Sequence, residues 1–289
     1  MMIRDKIKTH VKRMLGGASA QPSPTPRIHT TVPHYVRIEE PAPERADRAQ
    51  IASFRDKYIG KRCFIVGNGP SLRQLDLSKL RDEYSFGVNS IFLMQDYQDF
   101  RPTFYVVEDI RVMHENVEAI NQYQVPYKFF PTEYIDLITH KENCLFFNMN
   151  RGFYENCPNF QVPRFSTDCA ERIYCGQSVT TLNLQLAFFM GFAEIYLIGM
   201  DFEYHIPADA TVEGNTIRAN ADNDPNHFHP AYFGKGKHWH NPRLDLVEMN
   251  YQLAKMVCKN HQRKIYNATA GGKLEVFERV DYAGLFSDS

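Results

Sequence analysis

Short apolar runs alternate with amphipathic stretches along the chain from Ile51 onward. "RCFIV", "YSFGVN", "TFYVVED", "YKFFP" and "CLFFNM" have the length and the Val, Ile, Phe and Tyr content of strands. "EIYLIGMDF" is apolar almost throughout, the pattern of a strand buried on both faces, and "KIYNAT" reads as a further strand. "SVTTLNLQLAFFMGF" sets Leu182, Leu186 and Phe189 on one side of a helix, and "RLDLVEMNYQLAKMVCKN" predicts another. "IASFRDKYIGK" is helix-like, and "SLRQLDLSKL" is helical or turn-like. Strands separated by helices predict an α/β fold, a Rossmann-like parallel sheet with flanking helices over residues 51–289. No internal repeat is visible.

Two stretches break the alternation. Residues 203–243 are rich in Asn, Asp and His and carry no clear period. Such a run inside a compact domain predicts a lid or an active-site insertion, and it follows a buried strand, at the sheet end where these folds bind ligands. Residues 1–50 stand outside the pattern. "MMIRDKIKTHVKRMLGG" spaces Ile3, Ile7, Val11, Met14 and Leu15 as a helix does, with Arg4, Lys6, Lys8, Lys12 and Arg13 on other faces. A short basic amphipathic helix, residues 1–15, suits an anionic membrane surface; packing on the protein or on a partner is the plainer alternative. The Pro/Ser/Thr-rich stretch after it reads as a flexible linker.

Composition narrows the classes. With 289 residues, 43% hydrophobic, the chain has enough apolar material for one large α/β domain. A formal net charge of −1 gives no footprint for nucleic acid. The six cysteines form no Cys-x-x-Cys pair and read as reduced thiols filling the core, not as a zinc site. No apolar run reaches the roughly 18–20 residues of a membrane span, and the N-terminus lacks the apolar core of a signal peptide. The expected location is cytoplasmic, with peripheral contact at the inner membrane through residues 1–15. A homo-oligomer is compatible with all of this.

The first strand ends in Gly67-Asn68-Gly69-Pro70-Ser71. Gly67 and Gly69 permit close approaches that a side chain would block, and Pro70 suits a first helical turn. Exposed N–H groups at such a turn favour a phosphate or another anion. The third glycine of a dinucleotide fingerprint would fall on Leu72, and no Gly-Lys-Ser/Thr follows, so neither standard phosphate loop is present. A tight turn without a ligand is the structural alternative. "GGKLEVFERVDY" adds a glycine pair that either closes the same site or merely turns the chain.

"GNGPSL" after the first strand, "GVNS" after the second and "GFAEIYLIGMDF" after the long helix resemble the bacterial sialyltransferases that use CMP-sialic acid. The same framework resembles the broader group of hydroxymethylpterin pyrophosphokinase-like proteins and flagellin-glycosylation accessory factors. The resemblance spans about Arg62 to Ala270 and implies a GT-A-like variant of the fold. It implies that Asn68 and Asn89 contact the nucleotide donor, and that Ser178 and Thr180 stand where the family cradles the cytidine phosphate. Asp109 stands where the sialyltransferases carry Asn, and Tyr204 lies one residue beyond a family tyrosine. Tyr232 matches the tyrosine of the His-Tyr-x-Gly segment, and the family's catalytic histidine falls on Ala231.

The insertion offers His227, His229, His238 and His240 in its place. An inverting sugar transferase needs a base for the acceptor hydroxyl, a task that suits a neutral imidazole. His229, two residues before Ala231, is the first candidate and His227 the second. Tyr204, Tyr232, Lys235 and Lys237 are candidates to stabilise the leaving phosphate. Asp201, at the end of a strand, is placed to bind ribose, to hold Mg²⁺ or to cap the turn. Asp222, Asp224 and the four histidines include ligand types for a divalent ion, but their spacing matches no zinc pattern, and no metal is expected. Trp239 would stack on a sugar or base, or anchor the insertion.

The resulting expectation is a metal-independent, inverting glycosyltransferase. It would move a CMP-activated nonulosonic acid or Kdo-type sugar to a surface glycan or its lipid-linked precursor, binding through Gly67, Asn68, Gly69, Ser71, Asn89, Asp109, Ser178, Thr180 and Asp201. One alternative is an ATP- and Mg²⁺-dependent pyrophosphokinase-like phosphotransferase with Asp109 and Asp201 on the metal. The other is a non-catalytic nucleotide- or glycan-binding accessory protein.

Overall fold

The computed structural model describes residues 45–153, 162–214 and 216–286. The basic segment 1–15, the linker that follows it and Cys157 lie outside the described residues. The main sheet is built from β1 (Arg62–Val66), β2 (Tyr84–Val88), β3 (Phe104–Val106), β4 (Tyr127–Pro131), β5 (Cys144–Phe147), β8 (Glu194–Ile198), β12 (Lys264–Asn267) and β13 (Glu278–Arg279). Its order is β13-β12-β8-β1-β2-β3-β4-β5, and every neighbouring pair is parallel. A two-stranded pair, β6 (Met149–Asn150) and β7 (Ile173–Tyr174), lies outside it. The Rossmann-like expectation holds.

The apolar runs are continuous because each strand feeds two cores. Successive side chains of a strand point to opposite faces. Cys63 and Ile65 of β1, Ile195 and Leu197 of β8, and Phe104 and Val106 of β3 enter one apolar cluster. Phe64, Val66, Tyr196, Ile198 and Tyr105, their immediate neighbours, enter the other. Helix α1 (Arg48–Ala52) touches the first cluster through Ile51; α2 (Ile110–Glu115) and α3 (Val117–Gln122) cover the second with Val112, Met113 and Ile120. Helix α4 (Val179–Phe189) is buried on all sides, including its polar Asn183 and Gln185, so it runs through the first core. Helix α5 (Leu244–Asn260) shields it with Val247, Tyr251, Ala254 and Cys258. "SLRQLDLSKL" forms two short 3-10 turns, Pro70–Gln74 and Leu77–Leu80.

The stretch 203–243, expected to be aperiodic, contains a small antiparallel sheet of β9 (Thr211–Glu213), β10 (Thr216–Arg218) and β11 (His238–His240), ordered β11-β10-β9. The strands are three residues each, too short to show a period of two against the surrounding polar residues. The insertion belongs to the second core: Phe228, Tyr232 and Trp239 are 1%, 3% and 4% exposed. The five described cysteines are free and buried. No helix among the described residues is long and apolar enough to cross a membrane.

Candidate functional site

From β1 the chain moves through β2, β3 and β4 to one side, then returns to place β8 on the other side of β1. The carboxyl ends of β1 and β8 therefore flank the point where strand order reverses, the usual ligand crevice of open parallel sheets. There the two backbones nearly touch: Gly67 N–H donates to the Ile198 carbonyl at 2.8 Å, and Gly69 N–H to that of Gly199 at 2.9 Å. A Cβ on Gly67 would lie 2.5 Å from the Gly199 oxygen, and one on Gly69 only 1.9 Å from the Asp201 carboxylate.

That carboxylate changes the reading of the turn. Ser71 donates its hydroxyl to Asp201 Oδ2 at 2.7 Å, and its N–H points at the same group at 3.3–3.4 Å. The turn expected to hold a ligand's anion thus holds the protein's own, and of the three roles open to Asp201 the cap is the one seen. Ser71 is 2% exposed and does not line the cleft. Burial raises the Asp201 pKa above the ordinary carboxylate value, with the Ser71 hydrogen bonds opposing the rise. The glycine pair backs the same residue, since Lys273 N–H donates to the Asp201 carbonyl at 2.7 Å.

Beside this turn opens a cleft of about 950 Å³. Its walls are the ends of β1, β2, β3 and β8, the N-terminus of α4, the insertion and the start of α5. Three non-glycine residues on the wall hold left-handed backbone: Asn89 (φ 47°), Gln177 (φ 64°) and Phe202 (φ 55°). Such conformations cost on the order of 1–3 kcal/mol each and gather at functional sites. The Ser178 hydroxyl caps α4 by accepting the Thr180 N–H. The Thr180 hydroxyl reaches Met200 Sδ at 3.5 Å, and Tyr251 lies against both hydroxyls. Asp109 Oδ1 caps α2, accepting N–H from Arg111 and Val112 at 2.7 and 3.1 Å.

The insertion delivers one of the two leading histidines. His227 lines the cleft; Asp224 Oδ2, in a side chain only 3% exposed, meets its Nδ1 at 2.7 Å. Asp224 is held by the N–H groups of Asn226 on Oδ1 (2.9 Å) and Phe233 on Oδ2 (3.1 Å). The His227 ring stacks on Tyr232 at 3.8 Å with 1° between planes. Asn68 joins this unit to the sheet: its carbonyl accepts the Phe228 N–H at 2.8 Å, and its Nδ2 donates to Val88 O and Tyr232 Oη at 3.0 and 3.1 Å.

His229, the first candidate from sequence, is turned away. Its Nε2 meets Asp96 at 3.1 Å, its Nδ1 accepts the Ala231 N–H, and it does not line the cleft. Adjacent alternate residues of the loop face different surroundings, which no sequence spacing reveals. Lys237 is also corrected: its ammonium donates to Asn116 Oδ1 and to the carbonyls of Ala231 and Tyr232, tying the insertion together, and it does not line the cleft. Lys235 does not line the cleft either; its backbone N–H binds Asp222.

Four lining residues present buried polar atoms with no hydrogen-bond partner: Asn68 Oδ1, Asn89 Oδ1, Tyr204 Oη and Trp239 Nε1. Buried polar atoms are normally paired, so this set is the part of the wall left open to a partner. Burial keeps the Tyr204 and Tyr232 phenols protonated, their pKa values raised further by the carboxylates of Asp224 and Asp109 respectively. Carboxylates on the wall are Glu108, Asp109, Asp201 and Glu203; Arg243 is the one guanidinium among the described lining residues, and no lysine lines it. Glu108 is paired with Arg151 at 2.8 Å and Glu203 with Lys273 at 2.6 Å. No group of three His, Cys, Asp or Glu side chains that could hold a metal lies among the described residues. Sequence reasoning missed the orienting role of Asp224, although its position three residues before His227 was a signal, and it missed Arg243 and Tyr251.

A family model described as 6-hydroxymethylpterin diphosphokinase MptE-like matches residues 41–207. No curated protein matches the chain. Among solved structures the chain is similar to the sialyltransferase CstII from Campylobacter jejuni, determined in complex with a substrate analogue, cytidine-5'-monophosphate. The two are 14% identical over 77% of this chain and 85% of that one, with a TM-score of 0.45.

Proposed function

The chain belongs to this MptE-like family, and we propose that it is a transferase acting from a nucleotide donor, with His227 as the base for an acceptor hydroxyl. The observation that carries the reading is the Asp224–His227 pair facing the cleft at the switch point. An ionised Asp224 only accepts, so the proton of His227 sits on Nδ1 and the lone pair on Nε2. The acceptor O–H gives its proton to Nε2 while its oxygen attacks the anomeric carbon. The bond from that carbon to the phosphate oxygen breaks, and the nucleotide leaves with the electron pair. The protonated phenols of Tyr204 and Tyr232 and the N-terminus of α4 are suited to stabilise that charge.

Charge favours a CMP-activated nonulosonic acid or Kdo-type sugar as donor. A CMP-activated keto-acid sugar brings about two negative charges, the phosphodiester and the sugar carboxylate. Arg243, the one guanidinium on the described wall, is already held by Asp245 at 2.6 Å, so the smaller charge is the better tolerated. ATP brings about four, and the uncompensated Asp109 and Asp201 would repel them unless Mg²⁺ lay between. The family description favours that second reading, a diphosphokinase with Mg²⁺ held by Asp109 and Asp201. The acceptor would be a surface glycan or its lipid-linked precursor, with residues 1–15 at the inner membrane surface.

Incubation with CMP-N-acetylneuraminate, CMP-Kdo or ATP, each with Mg²⁺ or EDTA, separates the readings. Release of CMP in EDTA is expected. Turnover of ATP only with Mg²⁺ supports the diphosphokinase. Binding of a nucleotide without turnover of any makes the protein an accessory factor.

A further inference from the structure

Trp239 is the only tryptophan of the chain, 4% exposed, on β11 opposite Ile217 of β10. Its ring stacks on Phe233 at 5.0 Å and 14°, and Phe233 meets His227 edge-on at 5.0 Å. A row of rings, Trp239–Phe233–His227, thus follows the cleft wall and ends at the base. Packing alone would be served by any large aromatic. An indole adds one polar atom, a donor that cannot accept, and Trp239 Nε1 is buried without a partner on a residue that lines the cleft.

The unpartnered atoms sort by chemistry and place. At the glycine-turn end, Asn68 and Asn89 present amide oxygens, which call for N–H or O–H donors on the ligand. Of the other two, Tyr204, its ring 6.4 Å from that of His227, presents a phenol that can donate or accept. Trp239, joined to His227 through Phe233, presents an N–H, which calls only for an oxygen that accepts. The group held against His227 is the one being transferred, and in a keto-acid sugar the carboxylate is bonded directly to the anomeric carbon that the acceptor attacks. We propose that the Trp239 indole N–H donates to this carboxylate, so that Trp239 selects acidic sugars over neutral ones at the transferred position. The proposal rests on the donor reading given above.

The test replaces the Trp239 indole by benzothiophene through site-specific incorporation of benzothienylalanine, which keeps shape and stacking and deletes only the N–H. Trp239→Phe is the second variant, in case the first folds poorly, and thermal melting with and without CMP checks both. Calorimetry with CMP-N-acetylneuraminate and with CMP gives the readout. Affinity for the CMP-sugar is expected to fall about tenfold or more, as for a hydrogen bond to a charged oxygen, while affinity for CMP stays within about twofold. An unchanged affinity for the CMP-sugar, or an equal loss for both ligands, overturns the assignment. If the native protein binds neither ligand, the donor reading itself fails and the assignment falls with it. That result is distinct from tight binding by native protein and variant alike.

Discussion

Asp224→Asn tests the proposed catalytic pair, Asp224 and His227, with a change of one heavy atom. The carboxylate accepts from Asn226 on Oδ1, and from Phe233 and His227 on Oδ2. An amide can take this place in two ways. With its NH₂ toward His227 it abandons the Phe233 N–H and forces the imidazole proton onto Nε2, where the lone pair is needed. With its oxygen toward His227 it abandons only the Asn226 N–H. Each orientation loses one backbone hydrogen bond, but only the first requires His227 to change tautomer; in the second the tautomer survives and what is lost is charge. A hydrogen bond to an ionised group is worth about 1.5–3 kcal/mol and a neutral one about 0.5–1.5. The forming imidazolium therefore loses about 1–2 kcal/mol, or roughly 5- to 30-fold in kcat. KM for the donor should move less than about threefold. Initial rates of CMP release from CMP-N-acetylneuraminate measure both. In a His227→Phe background, which keeps the ring on Tyr232, the same substitution should add under about twofold. A drop under twofold in the native background would show that Asp224 does not act through His227. A drop beyond about a thousandfold would mean that the tautomer reverses and the orientation argued here is wrong.

Other expectations follow from single contacts. His229→Ala should leave turnover within about twofold, since its partners are Asp96 and the Ala231 N–H outside the cleft; a loss beyond about a hundredfold would return it to the base role. Gly69→Ala forces a Cβ against the Asp201 carboxylate and should cost about 1–3 kcal/mol in urea unfolding; an unchanged midpoint would mean the turn yields freely. Burial raises the folded-state pKa of Asp201 above the ordinary carboxylate value, so its ionisation opposes folding. That penalty is absent below the unfolded value, grows as pH rises to the folded value and is constant above it. Asp201→Asn keeps an oxygen for Ser71 and removes the penalty, so its stability relative to native should improve as pH rises above the unfolded carboxylate value, and a flat difference would contradict the assigned burial effect.

The fold was legible because burial on both faces leaves a signal in few residues. "CFIV" and "IYLI" need no period to be read, since each residue serves one core or the other. The short strands β9–β11 and the helices α2 and α3 left no comparable signal: three or six residues among polar neighbours give neither an alternation nor a full amphipathic face. The site divided along another line. Residues at strand ends, such as Asn68, Asn89 and Asp109, fall where the topology puts them, at the carboxyl edge of a parallel sheet. Residues of the insertion do not. His227 and His229 share a spacing, a composition and a neighbourhood in sequence, and only the backbone between Asp224 and Phe233 decides which faces the cleft.

The glycine turn shows why a motif can locate a site and still misname its ligand. Gly67 and Gly69 are required because two strand ends meet there, and the space left by the absent Cβ on Gly69 is filled by Asp201. The N–H groups of Gly67, Gly69 and Ser71 are satisfied internally. With the Gly69 side filled by Asp201, the residue the turn offers to the cleft is Asn68, whose carbonyl and amide bind the insertion at Phe228 and Tyr232 while its Oδ1 remains unpaired at the cleft wall. The turn thus acts by fixing His227 relative to the sheet: through Tyr232, on which the imidazole is stacked, Asn68 ties His227 to the end of β1. A ligand engaging Asn68 Oδ1 would bind the same residue that positions the base, so donor binding and placement of His227 meet in one side chain.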